Sequence, residues 1–124
     1  LAKDFEASKP IYIQIADKII QQIVREEVKP GDKLPSVREM AIQSGVNPNT
    51  IQRTYTEMER MGVVETKRGQ GTFVVERAEI VMEMKQSMQR EIIGQFVNSM
   101  TELGISKEQM VVGLDEFLRE GDRS

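Results

Sequence analysis

The 124-residue chain has no cysteine, no histidine and no tryptophan, and its aromatic content is only 5%. Without cysteine there is no disulfide framework and no thiol chemistry, which fits the expected cytoplasmic residence. Without histidine, the common zinc, nickel and copper sites lose their usual ligand. Catalytic triads built on histidine are excluded for the same reason. No paired carboxylates or nucleophile–base set stands out, and the acids read as solvated helix faces. The expectation is therefore a protein that is not an enzyme, with no metal and no cofactor. There is no run of eighteen apolar residues, which excludes a transmembrane helix. No basic leader followed by an apolar stretch points to export, so a membrane is not an expected partner.

What the chain does have is concentrated between Leu34 and Val75. Ser36 is a good helix N-cap and Glu39 follows three residues later, which makes a capping box. Val37, Met40 and Ala41 supply an apolar stripe at helical spacing, and Gly45 is a natural stop. A short helix is predicted from about Ser36 to Ser44. Arg38 lies off its stripe, in the first turn, where it opposes the positive end of the helix dipole. A nearby phosphate or guanine would supply a reason for it.

A second helix begins at once. Asn47 is a strong N-cap, with capping its main role, and Pro48 suits the first helical position. Ile51, Tyr55, Met58 and Met61 mark its expected buried face, and Gly62 ends it. Asn49, Thr50, Gln52 and Arg53 are left on the other face near its start, where side chains of these types hydrogen-bond base edges or phosphates. Glu57 and Glu59 suggest that its C-terminal half points away from phosphate. Val63–Lys67 and Thr72–Val75 are β-prone runs, joined by Arg68-Gly69-Gln70-Gly71. Lys67 and Arg68 bring positive charge to a tip whose glycines permit close backbone approach. Helix, turn, helix and basic hairpin together outline a winged helix-turn-helix, with the hairpin lying over phosphate and minor groove.

Pro10 is expected to open a supporting helix that runs to about Glu27, with Tyr12, Ile15, Ala16, Ile19 and Ile23 inward. Lys29-Pro30-Gly31-Asp32 reads as the turn that ends it. After Arg77 the pattern changes. Val81, Met84, Met88, Ile92, Phe96 and Met100 fall at spacings of three or four, as in a long amphipathic helix. Leu103-Gly104 closes it. Ser106 to Gln109 is a second capping box, ahead of a short helix carrying Met110, Leu114, Phe117 and Leu118. Two such helices cannot seal a core alone, and a two-fold dimer is the common solution. The methionine-rich faces leave two readings open: a dimer core, which is favoured, and a small-molecule effector pocket between dimer helices.

The formal charge of −3 argues against a DNA partner until the chain is divided. Residues 1–77 carry 12 Lys/Arg and 11 Asp/Glu, a net +1, whereas residues 78–124 carry 5 and 9, a net −4. Local charge matters more than the sum, because exposed charges are screened over ~10 Å at ~0.1 M salt.

The segments Leu34–Ala41, Gly45–Ile51, Gly62–Val64 and Gly69–Val74, with Pro10–Ile15 and Lys29–Pro35 upstream, resemble the GntR family of bacterial transcription regulators. The resemblance covers about residues 8–76. The Asn-Pro-Asn-Thr and Gln-Arg pattern with a short tail is most similar to the YtrA subgroup. The resemblance implies that Arg38, the positions Asn49, Thr50, Gln52 or Arg53, and Gly69 contact operator DNA. Some relatives carry arginine where this chain has Pro48 and Gln52, and histidine where it has Arg68, so their base contacts do not transfer to those positions.

The expected fold is mainly α with a small β-hairpin wing: residues 1–77 as a winged helix-turn-helix and 78–124 as a two-helix dimerisation tail. The expected DNA-facing set is Ser36, Arg38, Asn47, Asn49, Thr50, Gln52, Arg53, Lys67, Arg68, Gly69, Gln70 and Gly71. The expected dimer set is Val81, Met84, Met88, Ile92, Phe96, Met100, Leu114 and Phe117. The function expected is that of a homodimeric regulator, more often a repressor, on a palindromic double-stranded operator. The alternative is a winged-helix protein-interaction module without sequence-specific DNA binding.

Overall fold

Pro10 lacks a backbone donor and sits at φ −57°, so it serves as the entrance to helix α1 (Ile11–Val24). The computed structural model describes residues 8–123, without the side chain of Arg123; the first seven residues of the expected 1–77 domain lie outside it. Ile15, Ala16, Ile19, Ile20 and Ile23 of α1 are buried. The helix stops three residues before the expected Glu27. Glu26 adopts a left-handed φ of 66°. Its N–H donates to Ile23 O (3.1 Å), and that of Glu27 donates to Gln22 O (2.9 Å). This two-bond exit normally carries glycine; here a glutamate takes the place, so nothing in the sequence marks the stop before the Lys29–Asp32 turn.

Helix α2 (Val37–Ser44) begins on the capping box: the Glu39 N–H donates to Ser36 Oγ (3.1 Å) and the Ser36 N–H donates to Glu39 Oε1 (2.9 Å). Gly45 closes it at φ 68°. Helix α3 (Pro48–Arg60) begins on Asn47, whose Oδ1 accepts from the Asn49 N–H at 2.8 Å. Ile51, Tyr55 and Met58 are buried as expected, but Met61 is 44% exposed. The reason is that α3 ends at Arg60 and the chain reverses at Gly62 (φ 78°), so Val63 takes the inward place instead. Thr54 is also fully buried. Its hydroxyl lies 3.0 Å from both Tyr12 O and Thr50 O, tying α3 to α1.

Strands β1 (Val64–Lys67) and β2 (Gly71–Val74) pair antiparallel, with Val64 opposite Val74 and Lys67 opposite Gly71. The turn is closed by the Gln70 N–H on Lys67 O (2.8 Å). Gly69 has φ 78° at its third position, where a turn of this kind needs a positive φ. The chain leaving the turn at Lys29–Asp32 also pairs with the hairpin. Leu34 N–H donates to Thr72 O and Val74 N–H donates to Asp32 O, both at 2.8 Å, and Lys33 bridges to Phe73.

Helix α4 (Ala78–Glu102) is followed by α5 (Lys107–Arg123), which the second capping box opens through Gln109 N–H on Ser106 Oγ (3.2 Å). At 17 residues α5 is longer than the short helix expected, since Gly113 and Gly121 do not interrupt it. By internal packing the chain divides into two compact units, Leu1–Lys85 and Gln86–Ser124, with the division inside α4. In the first unit Val81 is buried and Met84 half-buried. In the second, Met88, Phe96 and Met100 are half-buried, while Ile92 (63%), Leu114 (48%) and Phe117 (72%) are exposed. Among the described residues no helix is long and apolar enough to cross a membrane.

Candidate nucleic-acid interface

Three elements of the first unit meet around an open groove of about 430 Å³. Lys33 to Val37 line it from the approach to α2, Gln52, Tyr55, Thr56 and Glu59 from α3, and Lys67 and Gly69 to Gly71 from the wing. The groove thus brings together six of the sequence-nominated residues: Ser36, Gln52, Lys67, Gly69, Gln70 and Gly71. Arg38, Asn47, Asn49, Arg53 and Arg68 are exposed outside its lining, and Thr50 is half-buried.

The groove is held open by local bonds rather than by a deep core. Tyr55 is buried in α3, and its hydroxyl donates to Pro35 O at 2.6 Å, which fixes the turn that leads into α2. Burial pushes the Tyr55 phenol well above its ordinary pKa, with Glu39 adding to the effect, so the hydroxyl keeps its proton and remains a donor. The Ser36 N–H and then the Ser36 hydroxyl, both bonded to Glu39, hold that carboxyl below its ordinary value. On the opposite wall the Thr66 N–H donates to Glu59 Oε2 at 3.1 Å, joining the wing to α3. Glu59 therefore lines the groove, whereas Glu57 is paired with Arg60.

Capping engages the two caps to different degrees. The Ser36 hydroxyl is turned to Glu39, accepting its N–H and lowering its carboxyl pKa. Asn47 Oδ1 accepts from the Asn49 N–H, and its NH₂ group keeps both donors.

The arginines of the first unit fall into two classes. Arg25 pairs with Glu27, Arg60 with Glu57 and Arg77 with Glu79. Arg38 and Arg68 have no hydrogen bond or ion pair among the described residues, and Arg53 lies over the Tyr12 ring, 4.1 Å from its centroid, with no carboxylate. The three without an acidic partner are those nominated from sequence. Lys67 is more constrained: its Nζ is 4.8 Å from the Phe73 ring centroid and 3.9 Å from Glu65 Oε1.

Sequence reasoning passed over Lys33. Its stem crosses the backbone of Gly71, where a Cβ would come within 2.8 Å of Lys33 Cε. That approach depends on the strand-like pairing of residues 31–34, and the sequence signal there, Pro30-Gly31, indicates only a turn.

The surface that results has exposed polar side chains at the start of one helix, unpaired guanidiniums beside it and a glycine-tipped hairpin. Such groups suit a polyanion with readable edges better than an apolar ligand. Comparison with known proteins agrees. Residues 11–74 match the family model described as bacterial regulatory proteins, gntR family. The chain is 62% identical over 117 residues to the uncharacterized HTH-type transcriptional regulator YhcF of Bacillus subtilis, covering 94% of this chain and 97% of that one. It is 39% identical to the HTH-type transcriptional repressor YtrA of the same organism, covering 94% and 88%. A GntR family transcriptional regulator from Listeria monocytogenes superposes with TM-score 0.86 at 38% identity, over 90% of this chain and 98% of that chain. The DNA-binding domain of AraR in complex with operator ORX1 superposes with TM-score 0.52 at 30% identity, over 54% and 81%. With the family model spanning the whole winged helix-turn-helix and relatives matching nearly end to end, the chain belongs to the GntR family of bacterial transcription regulators.

Proposed function

We propose that this regulator is a cytoplasmic homodimeric repressor that binds a palindromic DNA operator through the groove and helix ends described above. The observation that carries the reading is the sorting of arginines: among the described residues Arg38, Arg53 and Arg68 lack acidic partners, and the other three of the unit have them. An unpaired guanidinium keeps its full set of in-plane donors for phosphate or for a guanine edge. In this reading α3 enters the major groove by its N-terminal end, with Asn49, Thr50, Gln52 and Arg53 foremost. Ser36, Arg38 and Asn47 face the adjoining backbone. The Lys67–Gly71 tip reaches the phosphates beyond. A protein-interaction module offers no counterpart for these unpaired cations, and the relatives are named as transcriptional regulators.

Dimerisation supplies affinity that one small reader lacks. Ile92, Leu114 and Phe117 are left exposed within the second unit, and an apolar surface of that kind marks an interface. In the proposed assembly Met84, Met88, Ile92, Phe96, Met100, Leu114 and Phe117 build it, within a tail bounded at about residue 78, while Val81 is already buried in its own first unit. Two half-sites then lie ~34 Å apart, one helical turn, or a multiple of that. The test is fluorescence anisotropy with DNA from upstream of the chain's own gene. Saturable binding that a scrambled duplex does not compete supports the reading; equal competition by scrambled duplex overturns it.

A further inference from the structure

We infer that Tyr12, on the supporting helix, is a positioning residue for DNA binding: its ring holds Arg53 so that the guanidinium edge faces the phosphate backbone. The inference rests on the proposed operator-binding reading. Three observations support it.

First, the Arg53 guanidinium is 4.1 Å from the Tyr12 ring centroid. A stacked guanidinium uses its π face, and its N–H donors lie in its plane, directed away from the ring. Arg53 makes no hydrogen bond or ion pair among the described residues, so these donors are fixed in position yet unsatisfied. Second, Tyr12 is itself anchored. Its carbonyl accepts from the fully buried Thr54 hydroxyl at 3.0 Å, so the backbone that carries the ring is tied to α3. Third, Arg53 lies on a different edge of α3 from the groove. Gln52, Thr56 and Glu59 line the groove with the wing, whereas Arg53 is directed to α1. The second cation on that edge, Arg60, is paired with Glu57. Arg53 is therefore the group on the α1 side able to grip the strand flanking the major groove opposite the wing. Tyr12 removes most of the rotamer freedom that such a contact would otherwise lose on binding.

The test is a double-mutant cycle of Tyr12→Leu and Arg53→Ala on operator binding by the full chain, with Tyr12→Phe alongside. Ordering a rotamer-rich side chain on binding costs about two- to twelvefold, so a dimer engaging both half-sites should lose at least roughly 4-fold in affinity on Tyr12→Leu. In the Arg53→Ala background the same change should cost less than about twofold. Tyr12→Phe keeps the ring face and should bind like the parent. Because Tyr12→Leu retains the cation, the salt dependence of binding should persist, whereas Arg53→Ala should flatten it, equally on operator and scrambled duplex. Additive losses in the cycle would make Tyr12 merely structural and overturn the inference, as would a Tyr12→Phe defect as large as that of Tyr12→Leu. A base-specific rather than uniform loss on Arg53→Ala would overturn the phosphate assignment. If Arg53→Ala is silent while Arg38→Ala is not, this inference fails and the operator-binding reading stands. If no variant or parent binds selectively, the operator-binding reading fails.

Discussion

Ser36 separates folding from DNA binding at a single position. Its Oγ caps α2 by accepting the Glu39 N–H at 3.1 Å, and it lines the groove. Ser36→Ala removes the cap and should cost ~1 kcal/mol of stability, lowering the melting midpoint by about 2–8 °C for a chain of this size. Ser36→Asp keeps a capping oxygen and places a negative charge where the helix dipole favours it. Its stability should stay within ~0.5 kcal/mol of the parent. Against DNA the same charge is repelled. Two like charges 4 Å apart cost ~1 kcal/mol in water and ~4 kcal/mol at an intermediate dielectric. Operator affinity should therefore fall at least ~5-fold per protomer and ~25-fold for a dimer. Thermal melts and anisotropy titrations on the two variants suffice. A Ser36→Asp protein that binds the operator as tightly as the parent would refute the placement of Ser36 against phosphate. A Ser36→Ala protein that melts unchanged would refute the contribution of the capping box.

Three further outcomes are expected. Gly71→Ala puts a side chain at φ 126°, and its Cβ within 2.8 Å of Lys33 Cε; urea unfolding should show a loss of ~1–3 kcal/mol, whereas an unchanged midpoint would mean that the wing tolerates ordinary residues there. Glu39 is held below its ordinary value of 4.5, so the carboxylate is favoured in the folded state; its contribution should be complete above that pH and fade as the pH falls through its lowered value. Glu39→Gln should therefore flatten the acid limb of stability below about pH 4.5, and an identical limb would contradict the coupling. Ile92→Glu or Phe96→Glu should yield monomers in sedimentation with weakened operator binding, and a persisting dimer would move the interface elsewhere.

The elements that build the site were readable wherever a local chemical signal coincided with a backbone requirement. Ser36 with Glu39 and Asn47 with Pro48 fixed both helix starts, because capping depends on residues three apart or fewer. Gly69 marked the hairpin turn by the same logic. The features that escaped depend on the assembled fold. Glu26 ends α1 in a conformation usually left to glycine. Thr54 is polar and yet fully buried, because its single hydroxyl proton is shared between two carbonyls, each 3.0 Å away. The third partner of the wing, residues 31–34, shows no strand periodicity and pairs only through contacts distant in sequence. The arginine nominations followed from position along the helices, but their lack of acidic partners is a property of the folded surface.

The central claim is that the unpaired arginines, and not the paired ones, engage DNA. It is tested most directly by the salt dependence of operator affinity in parent, Arg38→Ala and Arg60→Ala proteins. Each phosphate contact contributes ~0.9 to the slope of log K against log salt, so Arg38→Ala should lower it by ~0.9 per protomer, ~1.8 for the dimer, if Arg38 meets phosphate. If it meets a guanine edge, the loss should fall instead on one operator position. Arg60→Ala, which removes a guanidinium already paired with Glu57, should leave slope and specificity unchanged. Equal effects of the two substitutions, or none from Arg38→Ala, would contradict the account.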